Sequence, residues 1–273
     1  MPPANTQPAD AQAGKFLPLR DALIDAAYQA GRAILDVYAG DFATSQKMDL
    51  SPVTEADMAA ERIILALLRT HAPEIPVVAE EQAAADGLPR HAGARFFLVD
   101  PLDGTKEFIA RNGEFTVNIA LIEHGQPVLG IVYLPVLDEM YAGCGDVALR
   151  WRQHQVPERI QARRPPAAGV TMTISRSHAA REAARMERLG EHVVDTIVAG
   201  SSLKFCRIAE GAADLYPRFG PTMEWDTAAG HAVLLAAGGS VTTADGLPLR
   251  YGKPGFRNPH FIARGQSRGQ PRG

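Results

Sequence analysis

The sequence predicts a layered α/β (α+β) protein, and three observations carry that class. Apolar residues recur at helical spacing near the N-terminus, β-rich runs in the middle read as a hairpin, and the last third returns to alternating helix and strand signals. Leu19, Leu23, Ala27, Ala30, Ile34 and Val37 mark one face of a helix, which Gly40 stops. A second helix starts at Thr54, carries Ile63, Ile64, Leu67 and Leu68, and ends before Pro73. Short strands follow at Val77-Val78-Ala79 and Phe96-Phe97-Leu98-Val99. Phe115 to Ile122 and Val128 to Leu134 flank Glu123-His124-Gly125-Gln126-Pro127 as the hairpin, and Asp138 to Ala142 adds a strand. From Trp151 to Ala168 the chain turns polar and Pro-rich, so a boundary between units at 17–160 and 161–263 is expected. The second unit opens at Thr171-Met172-Thr173-Ile174. A helix after His178, a strand at Val193 to Val198, a helix from Ser202 to Gly211 and a strand at Asp214 to Pro217 come next. A helix from Asp226 to Ala237 and two final strands close it. The ends at 1–16 and 264–273 have little to bury and are expected to be disordered tails.

Composition narrows the function classes. The 273 residues are 46% hydrophobic and 22% charged, which is the usual globular mix. Lys+Arg 28 against Asp+Glu 31 leaves a net charge of −3, too balanced to predict nucleic-acid binding. Arg accounts for 23 of the basic residues and Lys for 5, so each lysine stands out. Cys144 and Cys206 are far apart and form no CxxC, which indicates neither a disulfide framework nor a zinc site. No apolar run approaches the roughly 20 residues of a membrane span, and residues 1–15 lack the apolar centre of a signal peptide. The expectation is a cytoplasmic protein without an integral membrane segment.

Four acidic clusters carry the chemistry. In Asp100-Pro101-Leu102-Asp103-Gly104-Thr105 an apolar strand delivers two carboxylates, then a glycine that permits a tight turn and exposes backbone amides. Carboxylate oxygens suit a hard divalent cation, and amides suit a phosphate; an ordinary Asp-Gly turn is the plain alternative. Ala79-Glu80-Glu81 repeats the strand-then-acid pattern, with a solvated loop as its alternative. Asp226 after Trp225 and Asp57 in Thr54-Glu55-Ala56-Asp57 both suit helix capping as well as ligation. Taken together they fit a metal-dependent phosphatase, in which converging carboxylates hold two or three cations and a hydroxyl beside an acid, Thr105 with Asp57, orients a water. Neither a GxSxG elbow nor a GxxxxGK[ST] loop is present, and the two acids of Asp100-Pro101-Leu102-Asp103 lie three apart rather than in a DxD pair of the aspartyl-phosphate type. A phosphonucleotide sensor without turnover is the non-catalytic alternative.

At these residues the sequence resembles the inositol monophosphatase superfamily of metal-dependent phosphatases. The similarity runs from about Leu19 to Ile262 and takes in Ser51-Pro52-Val53-Thr54, Glu80-Glu81, the Asp100 to Phe108 stretch and Arg111 to Asn118. It continues through Ser175-Arg176-Ser177-His178, Gly200 to Cys206, Tyr216-Pro217-Arg218 and Trp225 to Gly230. Lys106-Glu107-Phe108 and the Gly200 to Cys206 segment are similar to its bacterial 3'(2'),5'-bisphosphate nucleotidase branch. That likeness implies a layered αβαβα sandwich of the inositol monophosphatase / fructose-1,6-bisphosphatase type. It also implies hydrolysis of adenosine 3',5'-bisphosphate to AMP and phosphate, with the 5'-phosphosulfate analogue as a further substrate; an inositol monophosphatase or related sugar-phosphate phosphatase of the same superfamily is the alternative.

The resemblance further implies the residue roles. Glu80, Asp100, Asp103 and Asp226 ligate Mg²⁺ through their side chains and Leu102 through its carbonyl. Asp57 and Thr105 form the water-activating pair, Asp57 holding a further metal and Glu80 taking part in catalysis. Substrate contacts fall to Glu80, Leu102, Asp103, Gly104, Thr105 and Asp226 around the scissile phosphate, and to His178, Ser201, Lys204 and Arg218 around the nucleotide. Lys204 and Arg218 also fit on chemistry alone, since a second phosphate needs a cation away from the metals. A small-molecule nucleotide is thus the expected partner of a monomer or homodimer, with no nucleic acid. The likeness also suggests a peripheral place on the inner membrane, for which no amphipathic anchor is evident. Glu224 stands before Trp225-Asp226 where the family pattern has an uncharged residue, and its charge is expected to perturb Asp226 slightly.

Overall fold

The structure, a computed structural model, describes residues 9–42, 44–46, 52–175 and 185–267. Helix α1 (Ala9–Ala39) and helix α2 (Glu55–His71), joined across the short pair β1 (Thr44–Gln46) and β2 (Pro52–Thr54), form the first layer. Next comes a seven-stranded sheet in the order β3 (Val77–Ala79), β4 (Arg95–Asp103), β5 (Thr116–Glu123), β6 (Gln126–Leu134), β7 (Glu139–Cys144), β8 (Val147–Arg152), β9 (Glu158–Arg159). Two short helices leave its near edge, α3 (Glu80–Asp86) after β3 and α4 (Thr105–Ile109) after β4. The third layer is α5 (Leu203–Ala209) with α6 (Ala228–Ala236). The fourth is a five-stranded sheet in the order β11 (Val193–Val198), β10 (Val170–Ile174), β12 (Leu215–Arg218), β14 (Phe261–Arg264), β13 (Ser240–Thr243). Met186, in a helical turn, is buried against Val170, Met172 and Leu215 and covers that sheet's outer face. The layers are thus α, β, α, β, α, as the resemblance implies.

Strand alternation explains the stacking. Phe97 and Val99 of β4 join Leu23, Ala27, Ile34, Ile64 and Leu68 on the α1/α2 side. Phe96 and Leu98 join Phe205, Val233 and Leu234 on the α5/α6 side. A strand buried on both faces must read as a continuous apolar run, and Phe96 to Val99 does. The α5/α6 layer also packs against Tyr216, Val241 and Phe261 of the smaller sheet, so one core spans both sheets.

Several expected boundaries move. The N-terminal tail is shorter than expected, because α1 begins at Ala9 and runs through Pro18; the alanines at 9, 11 and 13 have the highest helix propensity. At the other end β14 reaches Arg264, and the amides of Gly265 and Gln266 donate to Asp214 and Arg163 carbonyls at 2.9 and 3.0 Å. The hairpin loop is two residues, His124-Gly125, both at positive φ (50° and 75°) as the right-handed twist of the strands favours. Trp151 and Arg152 belong to β8 rather than to a linker. The helix expected after His178 begins outside the described residues.

Behind the site, His231 of α6 is buried with its Nδ1 2.9 Å from the Tyr251 hydroxyl. Burial pushes its pKa down to about 3. Below the ordinary value near 6.5 the unfolded chain therefore takes up a proton that the folded one refuses, and stability falls as pH drops towards 3, by at most about 1.4 kcal/mol per pH unit. Urea unfolding at pH 7.5 and pH 5 is expected to show the wild type losing about 2 kcal/mol more than His231→Gln; equal losses would remove His231 from the acid response.

Candidate active site

The acids converge because of one irregularity in β4. Asp100 pairs with Asn118 and Asp103 with Thr116, so three steps along β4 face two along β5. Paired residues share a face of the sheet, and Thr116 and Asn118 lie on one face. The extra residue, beside Pro101 with no amide to donate, is a bulge that turns Asp103 onto the face of Asp100. The local bonds agree: Thr116 Oγ1 donates to Asn118 Oδ1 (3.1 Å) and Asn118 Nδ2 to Asp103 Oδ2 (3.3 Å).

Glu80 opens α3 directly at the end of β3. The first turn of that helix is fixed from α2, where buried Glu61 accepts the amides of Glu81 and Gln82, both at 2.8 Å. The solvated-loop alternative for Ala79-Glu80-Glu81 is thereby replaced by a packed helix start, with Glu81 itself buried. Asp226 sits in the turn before α6, its Oδ2 accepting from the Met223 amide at 2.9 Å and its carbonyl accepting from the Ser202 hydroxyl at 2.9 Å. Ligand atoms of Glu80, Asp100 and Asp226 lie within 4.8 Å of one another. Asp103 is close enough for its charge to act on Asp226 and for that of Glu80 to act on it.

Electrostatics describe a site where burial and neighbouring acids outweigh the nearby cations. Burial raises the Asp103 carboxyl to about 6; Glu80 and Glu107 push it further up, while Lys204 and the Asn118 amide oppose them. Burial, then Asp103 and Glu80, hold Asp226 well above the usual carboxylate range. Hard oxygen donors crowded and desolvated in this way fit a divalent cation. Leu102 stands between the two β4 acids, its amide donating to Asp100 Oδ1 at 3.1 Å and its carbonyl accepting from Thr105 at 3.4 Å.

Asp57 is a helix cap that also reaches Thr105. One oxygen, Oδ2, completes the capping box with the Thr54 amide (2.8 Å) and hydroxyl (2.7 Å); the other, Oδ1, accepts from Thr105 Oγ1 at 3.3 Å. Gly104 connects β4 to α4 in the left-handed region (φ 98°, ψ 42°), and a Cβ there would run into the Ser201 hydroxyl.

A cavity of about 280 Å³ extends from Asp103, Gly104 and Asp226 to Ser201, Lys204 and Arg218. Lys204 is buried, donates to the Ala199 carbonyl at 3.3 Å and lies 5.3 Å over the Tyr216 ring. Arg218 donates to the Pro221 carbonyl at 3.1 Å while its Nε, buried, has no hydrogen-bond partner among the described residues. Ser201 faces the cavity too, but its hydroxyl donates to the carbonyls of Asp103 (2.7 Å) and Glu114 (3.1 Å), stapling the loop after α4 to β4. His178 lies outside the described residues. Sequence reasoning passed over Lys106, Glu107, Glu114 and Thr227, which also line the cavity, and buried Glu61. Glu61 had a signal: it stands one helical turn after Asp57 and one before Ile64, on the buried face of α2.

The expected repulsion of Asp226 by Glu224 is not how Glu224 is used. Its carboxylate is wholly buried and accepts the amides of Gly252 (2.6 Å) and Lys253 (3.0 Å), and it pairs with Lys253 Nζ at 2.6 Å. The charges that raise Asp226 are Asp103 and Glu80.

The inositol monophosphatase family model matches residues 17–268, and the chain belongs to that family. Among curated relatives, 3'(2'),5'-bisphosphate nucleotidase CysQ of Escherichia coli K12 is 51% identical over 248 residues, 88% of this chain and 97% of that protein. CysQ of Haemophilus influenzae is 33% identical over 243 residues, 86% of this chain and 88% of that protein. Among solved structures, CysQ from Bacteroides thetaiotaomicron superposes with a TM-score of 0.76 at 40% identity, covering 92% of this chain and 98% of that one. No helix among the described residues is long and apolar enough to cross a membrane.

Proposed function

We propose that the chain is a 3'(2'),5'-bisphosphate nucleotidase that hydrolyses adenosine 3',5'-bisphosphate to AMP and phosphate, and acts on the 5'-phosphosulfate analogue as well. The observation that carries this reading is one cavity lined both by Asp103 and Asp226, the latter crowded with Glu80 and Asp100, and by two cationic side chains, Lys204 and Arg218. A substrate with two phosphates can use both the acids, through their cations, and the cationic side chains; an inositol monophosphate has one phosphate for the two. The CysQ relatives support the same substrate.

In this reading Glu80, Asp100, Asp103, Asp226, the Leu102 carbonyl and Asp57 would together hold two or three Mg²⁺. Magnesium, when bound, neutralises phosphate charge and makes a coordinated water more acidic. The chain's own groups do the rest. Thr105 Oγ1 donates its proton to Asp57 Oδ1, which leaves its lone pairs to accept from the attacking water and hold it in line. The water's proton passes through Thr105 to Asp57 as oxygen bonds to phosphorus. The bond from phosphorus to the ribose oxygen breaks, and that oxygen leaves protonated from solvent. The Gly104 and Thr105 amides hold the phosphate oxygens, which is why a left-handed glycine precedes α4.

Phosphate release from adenosine bisphosphate, its phosphosulfate analogue, AMP, inositol phosphates and fructose 1,6-bisphosphate, with and without Mg²⁺, tests the reading. Turnover should require the cation and favour the bisphosphorylated nucleotides; a clear preference for a sugar or inositol phosphate would overturn the substrate. Nucleotide binding with Mg²⁺ but no phosphate release would instead make the protein a sensor. Lys204→Ala is expected to raise KM for the bisphosphate about tenfold or more, a charge-assisted contact of about 1.5–3 kcal/mol, while moving KM for monophosphates little. Equal effects on both would exclude Lys204 as the second-phosphate contact.

A further inference from the structure

We infer that the buried Glu224–Lys253 pair is a clamp that positions the carboxylate of Asp226 for cation binding; this rests on the metal-dependent reading above. The turn from Met223 to Thr227 owes its place to the segment behind it. The Glu224 amide donates to the Phe256 carbonyl at 2.8 Å. Asn258 Nδ2 donates to the Met223 carbonyl at 2.7 Å and to Thr227 Oγ1 at 3.0 Å, so one side chain grips both ends of the turn. The Glu224 carboxylate then closes the arrangement on Gly252, Lys253 and the Lys253 ammonium, and that ammonium also reaches Asn258 Oδ1 at 3.3 Å.

A fully buried carboxylate is a poor choice for stability alone, because an apolar residue of similar volume serves as well or better. Here the position of the charge has a use. Ligand atoms of Asp226 lie within 4.8 Å of those of Glu80 and Asp100, so the turn has to keep like groups close together before a cation arrives. An external tie that keeps the carboxylate in place lowers the reorganisation needed on binding. Glu224 and Lys253 are positioning residues in this sense: neither lines the cavity, and each acts on Asp226 through the turn. Groups that support metal ligands in this way typically change affinity about 10- to 100-fold when removed.

The test uses the full chain stripped of metal. Mn²⁺ binding is followed by the electron paramagnetic resonance of free Mn²⁺, alongside the thermal midpoint. Glu224→Gln combined with Lys253→Met keeps volume and leaves no uncompensated charge. It is expected to weaken Mn²⁺ binding about tenfold or more, and to raise the Mg²⁺ concentration for half-maximal activity in parallel, with KM for the nucleotide at saturating Mg²⁺ within about twofold of wild type. Lys253→Arg, which preserves the ion pair, should restore wild-type Mn²⁺ binding. Asp214→Asn breaks the bidentate Arg163–Asp214 pair (both bonds 2.8 Å) at the other end of β12 from Arg218, and should lower the midpoint without altering Mn²⁺ binding. If the double variant lowers the midpoint but binds Mn²⁺ as the wild type does, the clamp is only structural and the inference fails. Should that variant not fold, Glu224→Gln alone, which leaves unpaired only the part-exposed Lys253 ammonium, carries the same expectation and the same refutation. A wild type that binds Mn²⁺ but hydrolyses no nucleotide would defeat the proposed function while leaving the clamp open to the same titration.

Discussion

Asp103→Asn is expected to lower kcat by about three orders of magnitude, a loss of about 4 kcal/mol in transition-state stabilisation, without unfolding the protein. The bulge in β4 exists to aim this carboxylate, and an amide in its place keeps the Asn118 contact while losing the charge that a cation needs. In metal-free protein the sign reverses. The folded state raises the Asp103 carboxyl to about 6, so it binds a proton more tightly than the unfolded chain does. Metal-free stability therefore falls as pH rises from the ordinary carboxylate range through 6, and stays low above it. Asn escapes that cost and should stabilise the metal-free protein at pH 8 by about 1–3 kcal/mol. Phosphate release at saturating Mg²⁺ and thermal unfolding in a chelator check the two halves. Near-normal turnover would refute ligation by Asp103, and a destabilised metal-free variant would refute the crowding of the acids.

What the sequence made legible was mostly what is local. The α2 start came out correctly because a Thr three residues before an acid is a capping signal in its own right, and the structure adds only that Asp57 has a second oxygen to spare for Thr105. The buried strand at Phe96 to Val99 came out because a strand covered on both faces leaves an uninterrupted apolar run. What was illegible depends on pairing between distant segments. Nothing in Asp100-Pro101-Leu102-Asp103 states that β5 answers three residues with two, and without that bulge acids three apart point to opposite faces. Ser201 reads as a substrate contact by resemblance, and its sequence neighbours do not show that its hydroxyl proton is shared between carbonyls on β4 and after α4. Glu224 reads as a nuisance charge beside Asp226 because the partner that draws it away, Lys253, lies 29 residues further on. The start of α1 is illegible for a different reason: Phe16, inside the stretch expected to be a tail, is buried in the core that α1 shares with α2, and the helix continues back to Ala9 through alanines of high helix propensity.

Thr105→Val should separate the two duties of Asp57. The substitution keeps β-branching and volume and removes one hydroxyl, whose neighbours are Asp57 Oδ1 at 3.3 Å and the Leu102 carbonyl at 3.4 Å. The capping box uses the other carboxylate oxygen and is untouched, so stability should move by no more than about 1 kcal/mol. If Thr105 holds the attacking water and relays its proton, kcat should fall by about 10²- to 10⁴-fold with KM nearly constant, since the lost interaction is made only as the water attacks. Asp57→Asn touches both duties. An amide oxygen is a weaker acceptor for Thr54, and the nitrogen would donate to Thr105 Oγ1, which turns to the Leu102 carbonyl and loses its base, so rate and helix stability should fall together. The informative quantity is the difference between the variants. A Thr105→Val enzyme with a kcat within about twofold of wild type would leave Asp57 as a cap and a metal neighbour only, and the water would need another base.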